Sequence, residues 1–215
     1  MFPIGDDNSG RRIVPLVTYA LILLNVLFFF VEMSGGEPFV MHWAFVPRRF
    51  LANPASDAPT IFSSMFMHAG WMHLGGNMLY LWIFGDNVED RFGHIKFLIF
   101  YLLCGIGATL AQMAVSTAST VPNLGASGAI AGVLAAYLLL FPKGSVRVLQ
   151  GSRVVQVPAL IMIGIWFALQ LFSGMGSLAS NAADKGGVAY MAHIGGFVAG
   201  FVLTFLFRGT RDTRV

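Results

Sequence analysis

VPNLGASGAIAGVLAAYLLLF, residues 121–141, turns from a polar, glycine-broken loop into an apolar helix, with one hydroxyl, Ser127, at the turn. Downstream, Gly128, Ala131, Gly132 and Ala135 recur at helical spacing, a small-xxx-small stripe that lets a second helix come close in lipid. The helix is short: Ser127 to Phe141 rises about 21 Å at 1.5 Å per residue, against roughly 30 Å of hydrocarbon. With its far end at the membrane surface, marked by Pro142, Lys143 and Gly144, Ser127 lies roughly 10 Å below the opposite surface. Irregular backbone at that depth is tolerated only where protein encloses it or where it lines a water-filled cavity. A helix N-terminus there presents free N–H groups and a partial positive charge to the cavity. Serine in such a place also serves as a helix cap or a small packing residue. The G-x-S-x-G elbow of soluble hydrolases fails, because Ala129 stands at its second glycine. A catalytic reading of Ser127 therefore needs partners elsewhere in the chain.

The composition supplies the setting. With 215 residues, 56% hydrophobic and 11% charged, and a mean hydropathy of +0.73, the chain has too little polar surface for a soluble globule. Apolar runs at 13–33, 61–84, 95–115, 126–141, 155–172 and 188–207 predict an all-α, polytopic membrane protein of six spans. That layout divides the chain into a polar tail at 1–12, a six-helix core at 13–207 and a second tail at 208–215. Alternating spans put ten of the 13 basic residues on one side and leave Arg48, Arg49 and Lys185 on the other. The positive-inside rule then expects both termini in the cytoplasm and the Ser127 cavity opening outward. If the source is bacterial, the expected membrane is the cell (inner) membrane. The net charge of +3 is thus a topology signal, and nucleic-acid binding is not expected. Cys104, the lone cysteine, reads as a packing residue, with no intrachain disulfide possible.

Polar residues inside spans mark functional sites. The second span, FSSMFMHAGWMHLGGNMLYLWIFG, carries His68, His73 and Asn77, of which His73 and Asn77 stand one turn apart. The spacing of His68 and His73 does not match the i, i+4 pair of zinc helices, and no carboxylate joins them, so no metal is expected. The segment GDNVEDRFG, residues 85–93, reads as a short inside loop with solvated or mutually paired charges. Residues 34–60 read as an interfacial hairpin or short helices. Trp166, Phe167 and Gln170 of the fifth span read as packing or lipid-facing groups. The Gly/Ser/Ala/Asn-rich stretch 173–187 has the composition of a lid.

The sixth span supplies a partner. His193 is its single ionisable group, with Gly196 and Gly200 on the same face, a second close-packing stripe suited to the first. Ser127 and His193 each precede the end of their helix, at Phe141 and Phe207, by 14 residues, which puts them at one depth. A serine hydroxyl becomes a nucleophile when a base such as a neutral imidazole takes its proton. Neither of the two spans contains Asp or Glu, so the expectation is a Ser-His dyad rather than a triad. The Ser127 N–H, with His73 and Asn77, would receive the oxyanion.

GASG at 125–128, HAGWMHLGGN at 68–77 and AHIGG at 192–196 together resemble the rhomboid intramembrane serine proteases, over all six spans. The resemblance implies Ser127 as nucleophile, His193 as base, and His73 and Asn77 on the oxyanion side together with Gly125 and Ala126. His68, Gly128 and Gly196 are supporting residues. It implies no cofactor or metal, and hydrolysis of a peptide bond in or near a transmembrane helix of a membrane-protein substrate. Two features depart from the family pattern: Ala131 replaces the aromatic often found four residues after the nucleophile, and Pro59-Thr60 stands where many members have Trp-Arg. A helix hides its amides until it unwinds, so cleavage should favour small or helix-destabilising residues, with lateral entry past the fifth span. The competing expectation is a non-catalytic member that binds or escorts transmembrane helices.

Overall fold

The computed structural model describes residues 2–179 and 188–208. Its principal helices are α1 (Leu16–Trp43), α5 (Trp71–Phe92), α6 (His94–Val115), α7 (Ser127–Leu140), α8 (Ala159–Ala179) and α9 (Tyr190–Phe207), with α2 (Pro47–Ala52), α3 (Pro54–Asp57), α4 (Thr60–Ser63) and a 3-10 turn (Ser64–Phe66) between α1 and α5. Among the described residues four helices, α1, α6, α8 and α9, are long and apolar enough to cross a membrane. α5 carries Asp86, Glu89, Asp90 and Arg91 in its last two turns, and α7 has 14 residues.

The chain is not all-α. β1 (Phe2–Asp6), β2 (Ser145–Gln150) and β3 (Arg153–Pro158) form an antiparallel sheet in the order β1-β2-β3. The supposed polar tail is therefore a strand in part, and the basic turn after α7 is a hairpin. β2 and β3 are rich in valine, and Gln150 pairs with Arg153 across Gly151-Ser152. Gly151 has φ +62°, the positive value that two-residue hairpin turns require and glycine supplies. Val146 and Val148 on β2 turn inward and are buried. The fifth apolar run accordingly splits, with 155–158 in β3 and the helix beginning at Ala159.

Other expected boundaries also move. Residues 85–92 are not a loop but the end of α5, and only Gly93, at φ +79°, separates α5 from α6. The charges there are not merely solvated: Glu89 is fully buried. It accepts from Val17 N–H at 2.9 Å, Thr18 N–H at 2.7 Å and Thr18 Oγ at 2.6 Å, and its other close neighbour is His94 Nδ1 at 2.5 Å. The first amides of α1 lack intrahelical acceptors, and a carboxylate satisfies both their hydrogen bonds and the helix dipole. Asp90 accepts from the N–H groups of Arg12 and Ile13, and Arg11 pairs with Asp86 at 2.8 Å. Residues 173–179, read as part of a lid, continue α8. The remainder of that stretch, 180–187 with Lys185, and the tail from 209 onward lie outside the described residues.

α7 is the hub. Its residues from Gly128 to Tyr137 are buried, and it packs against α5, α6 and α9. Large apolar side chains, among them Leu23 and Phe30 of α1, Leu169 and Phe172 of α8, and Leu206 of α9, face outward. An outward apolar belt around a core filled with small residues is the pattern of an integral membrane protein.

Candidate active site

The loop ahead of Ser127 is fixed by the segment following α1. Phe45 and Asn123 exchange both backbone hydrogen bonds, at 3.2 and 2.7 Å, and Arg48 N–H donates to Ser119 O at 3.1 Å. Arg49 braces that segment from within, bonding Asp57 and the carbonyls of Met41 and Ala44. Gly125 N–H donates to Ser64 O at 2.8 Å, which leaves this amide engaged rather than free for an oxyanion. Gly125 has φ +130°, and a Cβ there would stand 2.9 Å from both Cε1 and Nε2 of His73. Both the conformation and the space demand glycine. Ala126 is buried beside it, and Ser127 begins α7, so the Ser127 N–H is one of the helix-terminal amides without an intrahelical carbonyl.

α9 reaches Ser127 because two backbones touch. A Cβ on Gly196 would collide with Gly128 O, and one on Gly200 with Gly132 O. On the other flank of α7, a Cβ on Gly128 would strike Ala108 and one on Gly132 would strike Cys104 of α6. This packing carries His193 Nε2 to 2.8 Å from Ser127 Oγ.

The second ring nitrogen of His193 meets Gln170, a residue whose setting in an apolar span predicts a packing role. Nδ1 lies 2.7 Å from Oε1 of Gln170 on α8, and the Trp166 indole packs on the imidazole at a centroid distance of 5.8 Å. Phe167 stacks on Phe197 at 4.0 Å, holding α8 to α9 beside them. Ala131, buried in the core, offers the imidazole no aromatic face. The available signal was that Gln170 is the only amide in the apolar run of α8, one turn beyond Trp166. Gln112 of α6 accepts from Ala192 N–H at 3.3 Å and steadies the first turn of α9.

The other polar residues gather on the α5 side. His73 Nδ1 accepts from Ala69 N–H at 3.4 Å, so the ring proton sits on Nε2, the atom beside Gly125. His68 packs edge-on against His73 at 5.1 Å. The His68 backbone N–H donates to Glu32 Oε2 at 2.9 Å, a contact foreshadowed only by Glu32 being the one charge in the first apolar run. His68 Nδ1 and Nε2 and Asn77 Nδ2 are buried without a hydrogen-bond partner among the described residues. A buried polar atom without a partner carries a desolvation cost that a ligand or water relieves. A hydroxyl in hydrogen-bond reach of an imidazole is equipped for acyl transfer.

The family profile described as "Rhomboid domain" matches residues 56–210. Among curated proteins, the chain is 31% identical over 194 residues to "Rhomboid protein 1, mitochondrial" of Saccharomyces cerevisiae, covering 86% of this chain and 51% of that protein. It is 31% identical over 194 residues to "Rhomboid protease GluP" of Bacillus subtilis, covering 87% of this chain and 34% of that one. It is 28% identical over 217 residues to "Rhomboid protease AarA" of Providencia stuartii, covering 89% and 72%. The chain thus spans about half or less of the first two relatives. With more than half of its length matched by the profile, and the described helices forming an apolar-faced bundle around α7, the chain belongs to the rhomboid family.

Proposed function

We propose that this protein is an intramembrane serine endopeptidase that hydrolyses a peptide bond in or near a transmembrane helix of a membrane-protein substrate. The observation that carries the proposal is the 2.8 Å contact between Ser127 Oγ and His193 Nε2, made by helices far apart in the chain. The protease names of GluP and AarA support the same reading. In the reaction, His193 Nε2 takes the hydroxyl proton as Ser127 Oγ bonds to the scissile carbonyl carbon. The oxyanion is met by the Ser127 N–H, His73 Nε2–H and the Asn77 amide. The proton passes to the leaving amine as the C–N bond breaks, and water repeats the sequence on the acyl-enzyme.

In this reading the core at 13–207 crosses the bilayer six times, α5 and α7 completing the set through shorter or more polar spans. Both termini are cytoplasmic, and the site opens to the outer side. Purified protein incubated with a single-span substrate should cleave it and react with a fluorophosphonate probe, and Ser127→Ala should abolish both. Absence of serine-dependent labelling in the wild type, with the substrate bound but intact, would instead identify a non-catalytic binder of transmembrane helices.

A further inference from the structure

Gln170 faces His193 from a helix that contributes nothing to the dyad itself. Its Oε1 lies 2.7 Å from His193 Nδ1, and its Nε2 donates to the Trp166 carbonyl at 3.4 Å. The second contact is long, but it selects the orientation of the amide. Flipping the amide would bring its oxygen against the Trp166 carbonyl, acceptor against acceptor, and its NH2 against Nδ1. In the observed orientation Oε1 accepts only if Nδ1 carries the ring proton. Nε2 is then the unprotonated nitrogen, and it is the one facing the Ser127 hydroxyl at 2.8 Å. The opposite tautomer would present N–H to Ser127 and have no means of taking its proton.

From this geometry we infer that Gln170 is a positioning residue for the Ser127–His193 pair. It fixes the Nδ1–H tautomer of His193 through an uncharged amide, the role that a buried carboxylate plays in a Ser-His-Asp triad. The Trp166 indole restrains the plane of the same imidazole, where Ala131 leaves no aromatic to do so. The inference rests on the protease reading and specifies which helix, α8, supplies the third group.

Gln170→Met has nearly the same length but no acceptor, whereas Gln170→Glu keeps one. The test combines steady-state cleavage with the 15N spectrum of the imidazoles at neutral pH, His193 being assigned by its loss in His193→Gln. The wild type and Gln170→Glu should show a single Nδ1–H tautomer, and Gln170→Met a mixture of the two. Gln170→Met should lose roughly 10- to 100-fold in kcat, the order expected for a misaligned catalytic group, with KM little changed. Gln170→Glu should recover most of that loss. An unmixed Nδ1–H signal and full kcat in Gln170→Met, or an equal loss in both variants, would overturn the assignment. A wild type that holds the tautomer yet neither cleaves nor reacts with fluorophosphonate would leave the assignment standing and overturn the protease reading instead.

Discussion

His73 and Asn77 stand one turn apart on α5, and their separate surroundings give each a distinct state. His73 is tied through Nδ1 to Ala69 N–H, which directs its Nε2–H toward Gly125 and the start of α7. Asn77 Nδ2 is buried with no partner among the described residues. A preorganised donor that gains its full hydrogen bond only as charge develops lowers the barrier by on the order of 3 kcal/mol. Asn77→Ala should therefore lower kcat by roughly 10²-fold with KM little changed, the split expected of a donor engaged in the transition state and not in the ground state. Steady-state cleavage of the single-span substrate measures the split; a change in KM alone would assign Asn77 to substrate binding. At this scale the sequence marks His73, Asn77 and His193 as candidates because a polar residue there interrupts an apolar run. It is less legible at Glu89, because a carboxylate in an apparent loop reads as solvated until the amides of Val17 and Thr18 are seen to converge on it.

Between elements, the decisive feature is the direct contact of α7 and α9 along Gly128, Gly132, Gly196 and Gly200. Small residues at helical spacing on two spans of equal depth made that contact readable, since close approach in lipid demands the absence of side chains. The sheet was not read. Its strands are only five or six residues long, and Val154–Val157 run directly into α8, so an apolar window merges strand with helix. The start of α5 was misread for a related reason: residues 61–66 are as apolar as a span, yet they fold as α4 and a 3-10 turn before His68. The contact of α7 and α9 predicts a contrast. Gly196→Ala places a methyl group against the Gly128 carbonyl, while a Cβ on Gly164 of α8 meets nothing within 4 Å. Gly196→Ala should part the helices and cost on the order of 10²-fold in kcat, as displacement of a catalytic group by about 1 Å does. Gly164→Ala should leave kcat unchanged. Comparable activity in the two variants would show that the glycine stripe does not set the distance between Ser127 and His193.

Across the whole molecule, the end of α7 remote from Ser127 is tied to the first strand. Tyr137 Oη donates to Asp6 Oδ2 at 2.9 Å, and Asn87 Nδ2 of α5 donates to the same oxygen at 2.5 Å. β1, α5 and the serine helix thus meet at one carboxyl group, 4% exposed. Burial pushes the Asp6 carboxyl up to about 7 from its ordinary 3.8; the Tyr137 hydrogen bond opposes the shift and the Asp86 charge adds to it. An acid whose folded pKa is raised binds its proton more tightly in the folded state. Its contribution to stability is complete below pH 3.8, declines as pH rises, and is gone above about 7. Asp6→Asn retains an oxygen for Tyr137 and Asn87 and removes the titration. Thermal unfolding in detergent between pH 5 and 8 should therefore fall more steeply with pH for the wild type than for Asp6→Asn, the difference growing up to about pH 7 and then levelling as Asp6 becomes fully ionised. Parallel curves would mean that Asp6 is already ionised throughout that range in the folded protein. The sign distinguishes this junction from an ordinary ion pair: a carboxylate held charged by a cation would lend more stability as pH rises, whereas the β1 junction with α5 and α7 holds best when its carboxyl keeps the proton.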